Sequence, residues 1–232
     1  GPQHRQMGTI GGNVMLDTRC LFYNQTPEWR GALGNCLKKD GDWCHVIGSK
    51  TACVAAQSSD TVPMLVALDA SIRVRTTESE TEIVALRQLF TKDGRFELVH
   101  TLPHTALVEA VIIPPRPAGH RSVYRKVRSR AAVDYPQLGV AISASFDGSR
   151  CSGLEVVIGA MMPQPKRLKH MDKAIGTALD DATIEALAIH GYKQVKPQTS
   201  IHGSVQWRRH MAKVELTRGL RQLRDFPREL ET

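Results

Sequence analysis

The sequence predicts a mixed α+β protein with two parts, residues 1–114 and 115–232. Its 232 residues are 41% hydrophobic and 23% charged, the composition of a folded chain with one or two ordinary cores. Helix-like and strand-like segments occur on both sides of a stiff proline cluster, Pro114-Pro115-Arg116-Pro117. Because consecutive prolines resist both helix and strand, we place the boundary between the two parts at that cluster.

In the first part, a helix is predicted to begin near Ser59-Asp60. Pro63 is tolerated in its first turn, and the apolar residues that follow fit a helix. Strands are predicted after this helix, which gives the first part its mixed character. These strand-like segments are residues 71–75, 83–89 and 107–113.

The second part is predicted to be a sheet with two helices on one face. Asp147-Gly148 forms a hairpin turn between two of its strands, and Asp180-Asp181 supply carboxylates that cap the first helix. The predicted strands are residues 123–127, 139–146 and 154–158. The second helix carries apolar residues near helical spacing, namely Trp207, Met211, Val214, Leu220 and Leu223.

An excess of basic residues, 31 Lys+Arg against 23 Asp+Glu, gives a formal net charge of +8. The five Phe, four Tyr and three Trp are not interleaved with the basic clusters, as base-stacking platforms require. Direct nucleic-acid binding is therefore not expected. An acidic protein partner or a phosphate-bearing ligand accounts for the charge equally well.

No apolar run approaches the roughly 20 residues of a membrane helix. The N-terminal Gly1-Pro2-Gln3-His4-Arg5 lacks the apolar core of a secretory leader. A cytoplasmic protein without a membrane segment is therefore expected. Its cysteines are accordingly expected to be reduced or metal-bound.

Four of the five cysteines fall within 34 residues, with 15, 7 and 8 residues between successive members. The surrounding loop, residues 18–55, is rich in glycine and has too little apolar content to order itself by packing. Four thiolates around a metal centre would order it, and the absence of paired C-x2-C spacing favours a [4Fe-4S] cluster over zinc. A zinc ion, or unligated or disulfide-bonded thiols, stay open as alternatives. The four candidate metal ligands are Cys20, Cys36, Cys44 and Cys53.

A glycine turn near the N-terminus, Thr9-Ile10-Gly11-Gly12-Asn13, lets backbone N–H groups approach a phosphate without obstruction by a Cβ atom. Alone it is a weak signal, since such turns are often simple chain reversals. In its context, however, the segment resembles the flavin-binding loop of the FAD-carrying medium subunits of molybdenum hydroxylases, the xanthine dehydrogenase and carbon monoxide dehydrogenase family.

Further motifs extend this resemblance over nearly the whole chain. It implies the C-terminal part of a PCMH-type FAD-binding domain with an iron–sulfur loop insertion, followed by a sheet with helices like the C-terminal domain of CO dehydrogenase flavoproteins. The motifs are Ser59-Asp60 before Pro63, Tyr124-Arg125-Lys126-Val127-Arg128, Asp134-Tyr135-Pro136 and Met162-Pro163-Gln164-Pro165.

The cysteine-bearing insertion limits the resemblance to one branch of this family. It is similar to the β subunits of 4-hydroxybenzoyl-CoA reductases, a branch of the family that carries an additional [4Fe-4S] cluster in such a loop. The shared residues are Asp17-Thr18-Arg19-Cys20 and Tyr23-Asn24-Gln25. The resemblance therefore implies that the four clustered cysteines hold this cluster.

The resemblance also implies a set of FAD contacts. The glycine turn would touch the FAD phosphates and ribityl chain, and Asp60 would accept hydrogen bonds from flavin hydroxyls unless it only caps the helix that follows. Lys126 would lie near the isoalloxazine and stabilise the reduced flavin, unless it belongs to a solvated basic strand. Val108 would pack on the ring. The implied FAD-binding residues are Thr9, Ile10, Gly11, Gly12, Asn13, Asp60, Val108 and Lys126.

An electron relay is the implied role. Electrons would enter from reduced ferredoxin, pass through [4Fe-4S], FAD and the [2Fe-2S] clusters of a small partner subunit, and reach the molybdenum cofactor of a large partner subunit. There the phenolic hydroxyl of 4-hydroxybenzoyl-CoA would be removed. Two alternatives stay open: a hydroxylase of the same family that acts on another aromatic substrate, and a zinc-stabilised binding module without enzymatic activity.

One departure from the family pattern concerns the N-terminus. Subunits of this family begin with a further FAD-binding segment that contains a second glycine-rich phosphate loop, and this chain starts after that segment. The chain is therefore expected to be a fragment, to receive the segment from another polypeptide, or to have lost full flavin binding.

Overall fold

The computed structural model describes residues 2–97 and 99–226 and contains two antiparallel sheets with packed helices. The predicted α+β class is confirmed. The described helices are α1 (Pro2–Met7), α2 (Ile10–Val14), α3 (Pro27–Ala32), α4 (Val62–Ala67), α5 (Leu86–Leu89), a 3₁₀ turn (Met171–Ala174), α6 (Asp181–Gln194) and α7 (Val205–Arg224). The strands are β1 (Ser71–Arg75), β2 (Thr81–Ala85), β3 (Leu107–Ile112), β4 (His120–Val127), β5 (Leu138–Asp147), β6 (Arg150–Gly159) and β7 (Lys166–Arg167).

The first sheet has the strand order β2-β1-β3, and α4 links it to the second sheet. As predicted, α4 contains Pro63 in its first turn, and it buries an apolar side that includes Val62 and Val66. These side chains share one core with Ile72 of β1 and with Ala141 of β5. The packing of α4 against both sheets therefore fixes the junction between the two parts of the chain.

The second sheet has the order β4-β5-β6-β7, with β5 and β6 joined by the predicted hairpin turn. Successive residues of β5 point to opposite faces. Ala141 belongs to the core around α4, whereas Ile142 belongs to a larger core with Leu187 of α6 and Leu220 of α7. The prediction that α6 and α7 share one face of this sheet is confirmed, and α4 covers the opposite face.

Two glycines permit the close approach of helices to this sheet. A Cβ atom added to Gly159 at the end of β6 would lie 2.6 Å from Pro63 Cγ of α4. On the other face, a Cβ atom added to Gly219 of α7 would lie 2.6 Å from Ile142 Cδ1. Any side chain at either position would push a helix away from the sheet.

The predicted strand over residues 83–89 is wrong in its second half. Strand β2 ends at Ala85, and the next four residues form the helical turn α5. Leu86 and Leu89, three positions apart, are both buried on one side of this turn, and the Leu86 N–H donates to the Ala70 carbonyl at 2.9 Å. Continued alternation along a strand would have separated these two side chains.

The apolar face predicted for the last helix is only partly correct. Leu220 and Leu223 are buried, but Trp207 is 41% exposed. Ala212 and Leu216 complete the buried stripe. No helix among the described residues is long and apolar enough to cross a membrane.

Candidate functional site

The glycine turn forms the short helix α2 at the surface of the first part. Thr9 is its N-cap residue, and the Thr9 Oγ1 atom accepts a hydrogen bond from the Gly12 N–H at 3.0 Å. A Cβ atom added to Gly11 would lie 3.7 Å from the Val108 carbonyl oxygen of β3. The structure therefore brings Val108, predicted from a distant position, against the glycine turn, while Ile10 is half exposed beside it.

Asn13 connects the glycine turn to the segment before α4. Its Oδ1 atom accepts hydrogen bonds from Ser59 Oγ at 2.7 Å, Thr61 Oγ1 at 2.7 Å and the Thr61 N–H at 3.1 Å. One side-chain oxygen thus joins residues 46 and 48 positions apart in the sequence. We infer that Asn13 holds the turn beside Asp60, which lies between the two residues that donate to it.

We expect Asn13→Ala to lower the free energy of unfolding by about 1–3 kcal/mol, because it removes the shared acceptor of three part-buried donors, of which the Thr61 N–H keeps a second acceptor in Ser59 Oγ. Urea denaturation followed by circular dichroism measures this change. Asn13→Asp is the matched control, since it keeps an oxygen acceptor at Oδ1 and should lose clearly less stability. Equal stability of the alanine variant and the unchanged chain would contradict this account of the turn.

Asp60 and Lys126 form an ion pair across the junction of the two parts. Lys126 Nζ lies 2.8 Å from the Asp60 carboxylate and also donates to the Asp134 carbonyl at 2.7 Å. Lys126 is 19% exposed at its side chain, so it does not belong to a solvated basic strand. Asp60 does not cap α4, because Thr61 holds the N-cap position and Ser59 Oγ accepts from the N–H of the first helical residue.

Tyr124 lies on the same strand as Lys126 and places a hydroxyl in the junction. The oxygen atom is buried and has no hydrogen-bond partner among the described residues. Burial, aided by the negative charge of Asp60, raises the pKa of this hydroxyl. A buried donor without an acceptor is costly in a folded protein, so this atom marks a place where a polar ligand group fits.

The four clustered cysteines are buried, form no disulfide, and line one small cavity. Burial raises the pKa of Cys20 and raises the pKa of Cys53 to about 12, and the other thiols of the cluster add to both shifts. Thiols that repel one another as thiolates need a compensating positive centre in order to ionise. The structure therefore brings four uncommitted thiols to one cavity.

The side chains of the described residues are not arranged as a single-ion site. In residues 2–97 and 99–226, no three His, Cys, Asp or Glu side chains lie close enough together to hold one ion. The fifth cysteine, Cys151, is buried in β6, where its Sγ atom lies 3.4 Å from the Gly153 carbonyl oxygen. Cys151 is therefore a small buried residue outside the cysteine cavity.

Contacts that the sequence did not predict connect the cysteine loop to the rest of the fold. Lys38 is 5% exposed and lines the cysteine cavity. The Arg19 guanidinium lies 3.7 Å from the ring centre of Tyr135, in the second part of the chain. The Leu21 N–H donates to the Ser200 carbonyl at 2.7 Å. The loop is therefore anchored on both parts.

The chain thus has a two-part α+β fold in which the glycine turn is bonded to the segment that carries Asp60. Residues 1–116 match the FAD binding domain in molybdopterin dehydrogenase, and residues 122–223 match the CO dehydrogenase flavoprotein C-terminal domain. The chain belongs to this family of molybdopterin dehydrogenase flavoproteins.

Individual relatives agree with this assignment. The aldehyde oxidoreductase FAD-binding subunit PaoB of Escherichia coli K12 is 31% identical over 176 residues, which cover 73% of this chain and 54% of PaoB. The chain therefore spans about half the length of that relative.

Solved structures share the fold. CO dehydrogenase from Oligotropha carboxidovorans superposes with a TM-score of 0.69 at 22% identity, over 97% of this chain and 63% of that one. Quinoline 2-oxidoreductase from Pseudomonas putida 86 gives a TM-score of 0.60 at 20% identity, over 72% of this chain and 57% of that one. At 20–22% identity, these similarities show a shared fold only.

Proposed function

We propose that this chain is the electron-relay subunit of a molybdenum-containing oxidoreductase and carries both FAD and a [4Fe-4S] cluster. One observation carries the proposal. Four buried, free cysteines surround a single cavity in a chain whose fold is that of a family of FAD-binding subunits. When bound, the cluster supplies one-electron transfer and FAD supplies one- or two-electron transfer, which together connect a one-electron donor to a two-electron reaction.

Cys20, Cys36, Cys44 and Cys53 are the proposed cluster ligands. All four are buried and none is committed to a disulfide, so the complete thiolate set of a [4Fe-4S] cluster is present. The wide sequence spacing favours this cluster over zinc, which usually binds paired cysteines. The raised pKa values of Cys20 and Cys53 fit a centre whose positive charge is needed for ionisation.

The glycine turn and the Asp60–Lys126 pair form the proposed FAD site. Thr9 and Gly11 would present backbone donors to phosphate groups, with Ile10 half exposed beside them. The N–H groups of Gly12 and Asn13 already donate to Thr9 Oγ1 and to the Thr9 carbonyl. Lys126 would provide positive charge near the isoalloxazine, and Val108 would pack on the ring. The buried hydroxyl of Tyr124 is a further polar group available to the flavin.

The proposed partners are a large subunit with the molybdenum cofactor, a small subunit with [2Fe-2S] clusters, and ferredoxin as electron donor. The family match supports an assembly of this kind, because its domains are named for molybdopterin and CO dehydrogenases. The net charge of +8 complements an acidic donor protein.

For the reaction, we propose reductive dehydroxylation of 4-hydroxybenzoyl-CoA: two electrons and two protons convert the substrate to benzoyl-CoA and water. The Asp17-Thr18-Arg19-Cys20 start of the cysteine loop supports this choice. A second candidate is the oxidation of an aldehyde, favoured by the 31% identity to PaoB, in which aldehyde and water give a carboxylic acid, two protons and two electrons.

Anaerobic assays on the purified complex in both directions separate these reactions. We expect reduced ferredoxin to support formation of benzoyl-CoA from 4-hydroxybenzoyl-CoA. Aldehyde-dependent reduction of the bound flavin, with no benzoyl-CoA formed, would instead select the second reaction. Flavin that no candidate substrate reduces or oxidises would contradict both assignments.

We expect Lys126→Met to weaken FAD binding by about 10- to 100-fold, because a charge-assisted hydrogen bond contributes about 1.5–3 kcal/mol. The variant also leaves the Asp60 carboxylate without its cation. Fluorescence titration of deflavinated protein with FAD measures the effect. Lys173→Met, at an exposed lysine, is the matched control. An unchanged dissociation constant in folded Lys126→Met would remove Lys126 from the proposed site.

A further inference from the structure

A buried lysine ammonium lies at the cysteine cavity. Lys38 is two positions after Cys36, and its side chain is 1% exposed. It lines the same cavity as the four cysteines. A buried cation is costly unless its surroundings compensate it, so its position beside a group of thiols calls for an explanation.

All three protons of the Lys38 ammonium have acceptors. Nζ donates to Asp17 Oδ1 at 2.8 Å, Thr18 Oγ1 at 2.7 Å and the Gly94 carbonyl at 2.9 Å. An ammonium has three donors, so this set satisfies it completely. The acceptors are two neutral oxygens and one carboxylate, and because that carboxylate is 35% exposed, solvent screens it more than it screens the ammonium, which is 1% exposed.

The same acceptors attach Lys38 to the cysteines. Gly94 accepts from Lys38 through its carbonyl and donates from its N–H to the Cys53 carbonyl at 2.8 Å. Lys38 Nζ also lies 4.8 Å from the ring centre of Tyr23, three residues after Cys20. The Lys38 ammonium is therefore held against the cysteine loop by Gly94 and also lies beside the Tyr23 ring.

We propose that Lys38 sets the reduction potential of the [4Fe-4S] cluster by placing a fixed positive charge beside it, with Asp17 partly balancing that charge. The inference rests on the proposed cluster. Reduction adds one electron, and thus one negative charge, to the cluster, so a neighbouring cation favours the reduced form. Lys38 acts through the field at the cluster and is a positioning residue for electron entry.

Electron paramagnetic resonance during a dithionite titration of the complete anaerobic complex tests this role. We expect Lys38→Met to reduce the equilibrium constant for cluster reduction at least tenfold, which is a fall in midpoint potential of 59 mV for one electron. Asp17→Asn should change it in the opposite direction, because the ammonium then lacks its counter-charge. Lys38→Arg keeps the charge and should stay within about threefold of the unchanged protein.

Lys50→Met is the matched control, because Lys50 is an exposed lysine of the same loop, paired with Asp42. It should leave the equilibrium constant unchanged. A loaded cluster with unchanged potential in Lys38→Met would overturn the proposal. If the Lys38→Met variant holds no iron, its cluster potential cannot be measured, and the Asp17→Asn variant then provides the test. An unchanged or lower potential in Asp17→Asn overturns the proposal. Absence of iron from the unchanged protein would instead reject the proposed cluster itself.

Discussion

Replacement of Cys53 by serine is expected to reduce the iron content from about four atoms per chain to less than one, because a [4Fe-4S] cluster needs its complete thiolate set. Cys53 is the least exposed of the four cavity cysteines, and its backbone is fixed by the Gly94 N–H. Loss of the cluster should also loosen the cysteine loop, since metal binding contributes directly to folding free energy. Iron and sulfide analysis of the anaerobically purified variant measures the effect.

Flavin content should survive this substitution. The glycine turn is held by hydrogen bonds that Ser59 and Thr61 donate to Asn13, and no cavity cysteine takes part in them. Cys151→Ser is the matched control, because Cys151 is a buried cysteine outside the cavity, and it should keep its full iron content. Unchanged iron in Cys53→Ser, or equal loss in Cys151→Ser, would contradict the assigned ligands.

The second large effect is expected at Arg208, a fully buried arginine of α7. Its guanidinium donates to the Gln137 carbonyl at 2.9 Å, the Gln198 carbonyl at 2.8 Å and the Ala160 carbonyl. Burial lowers the pKa of Arg208 to about 10, so the side chain is still charged at neutral pH. One residue thus joins three chain segments, at Gln137, Ala160 and Gln198.

Arg208→Met should lower the free energy of unfolding by at least about 3 kcal/mol, because each buried acceptor left without a donor costs roughly 1–3 kcal/mol. The structure should be disturbed most around Ala160, which has a left-handed backbone with φ of 61° and precedes the segment Met162-Pro163-Gln164-Pro165. Thermal and urea unfolding measure the change. Arg221→Met, at a half-exposed position of the same helix, is the control and should change stability by less than about 1 kcal/mol. Similar stabilities of the two variants would contradict the role given to Arg208.

Periodicity and turn chemistry in the sequence predicted the main elements of the fold. Pro63 in the first turn of α4 and the Asp147-Gly148 hairpin are local signals, and both elements form as predicted. The error at residues 83–89 has a tertiary cause. The sequence around Leu86 and Leu89 is compatible with either a strand or a helical turn. Packing of both side chains into the core around α4 selects the helical turn.

The candidate site could be predicted only in part. Asp60 and Lys126 are 66 positions apart, and it was the likeness to a family that placed them at one site, where the structure now shows an ion pair. The burial of Lys38 and Arg208 was not predicted, because charged residues are usually solvent-exposed. Their burial depends on acceptors supplied by residues distant in the sequence, for which a single sequence gives no signal.

The most direct test of the flavo-iron–sulfur assignment is an anaerobic ultraviolet–visible spectrum of the complete subunit and its co-purifying proteins, combined with iron, sulfide, zinc and flavin analysis. The account predicts a broad shoulder near roughly 400 nm, about four irons and four sulfides for the four-cysteine site, and bound FAD. A colourless subunit with one tightly bound zinc and no flavin would contradict it and would leave a zinc-stabilised binding module.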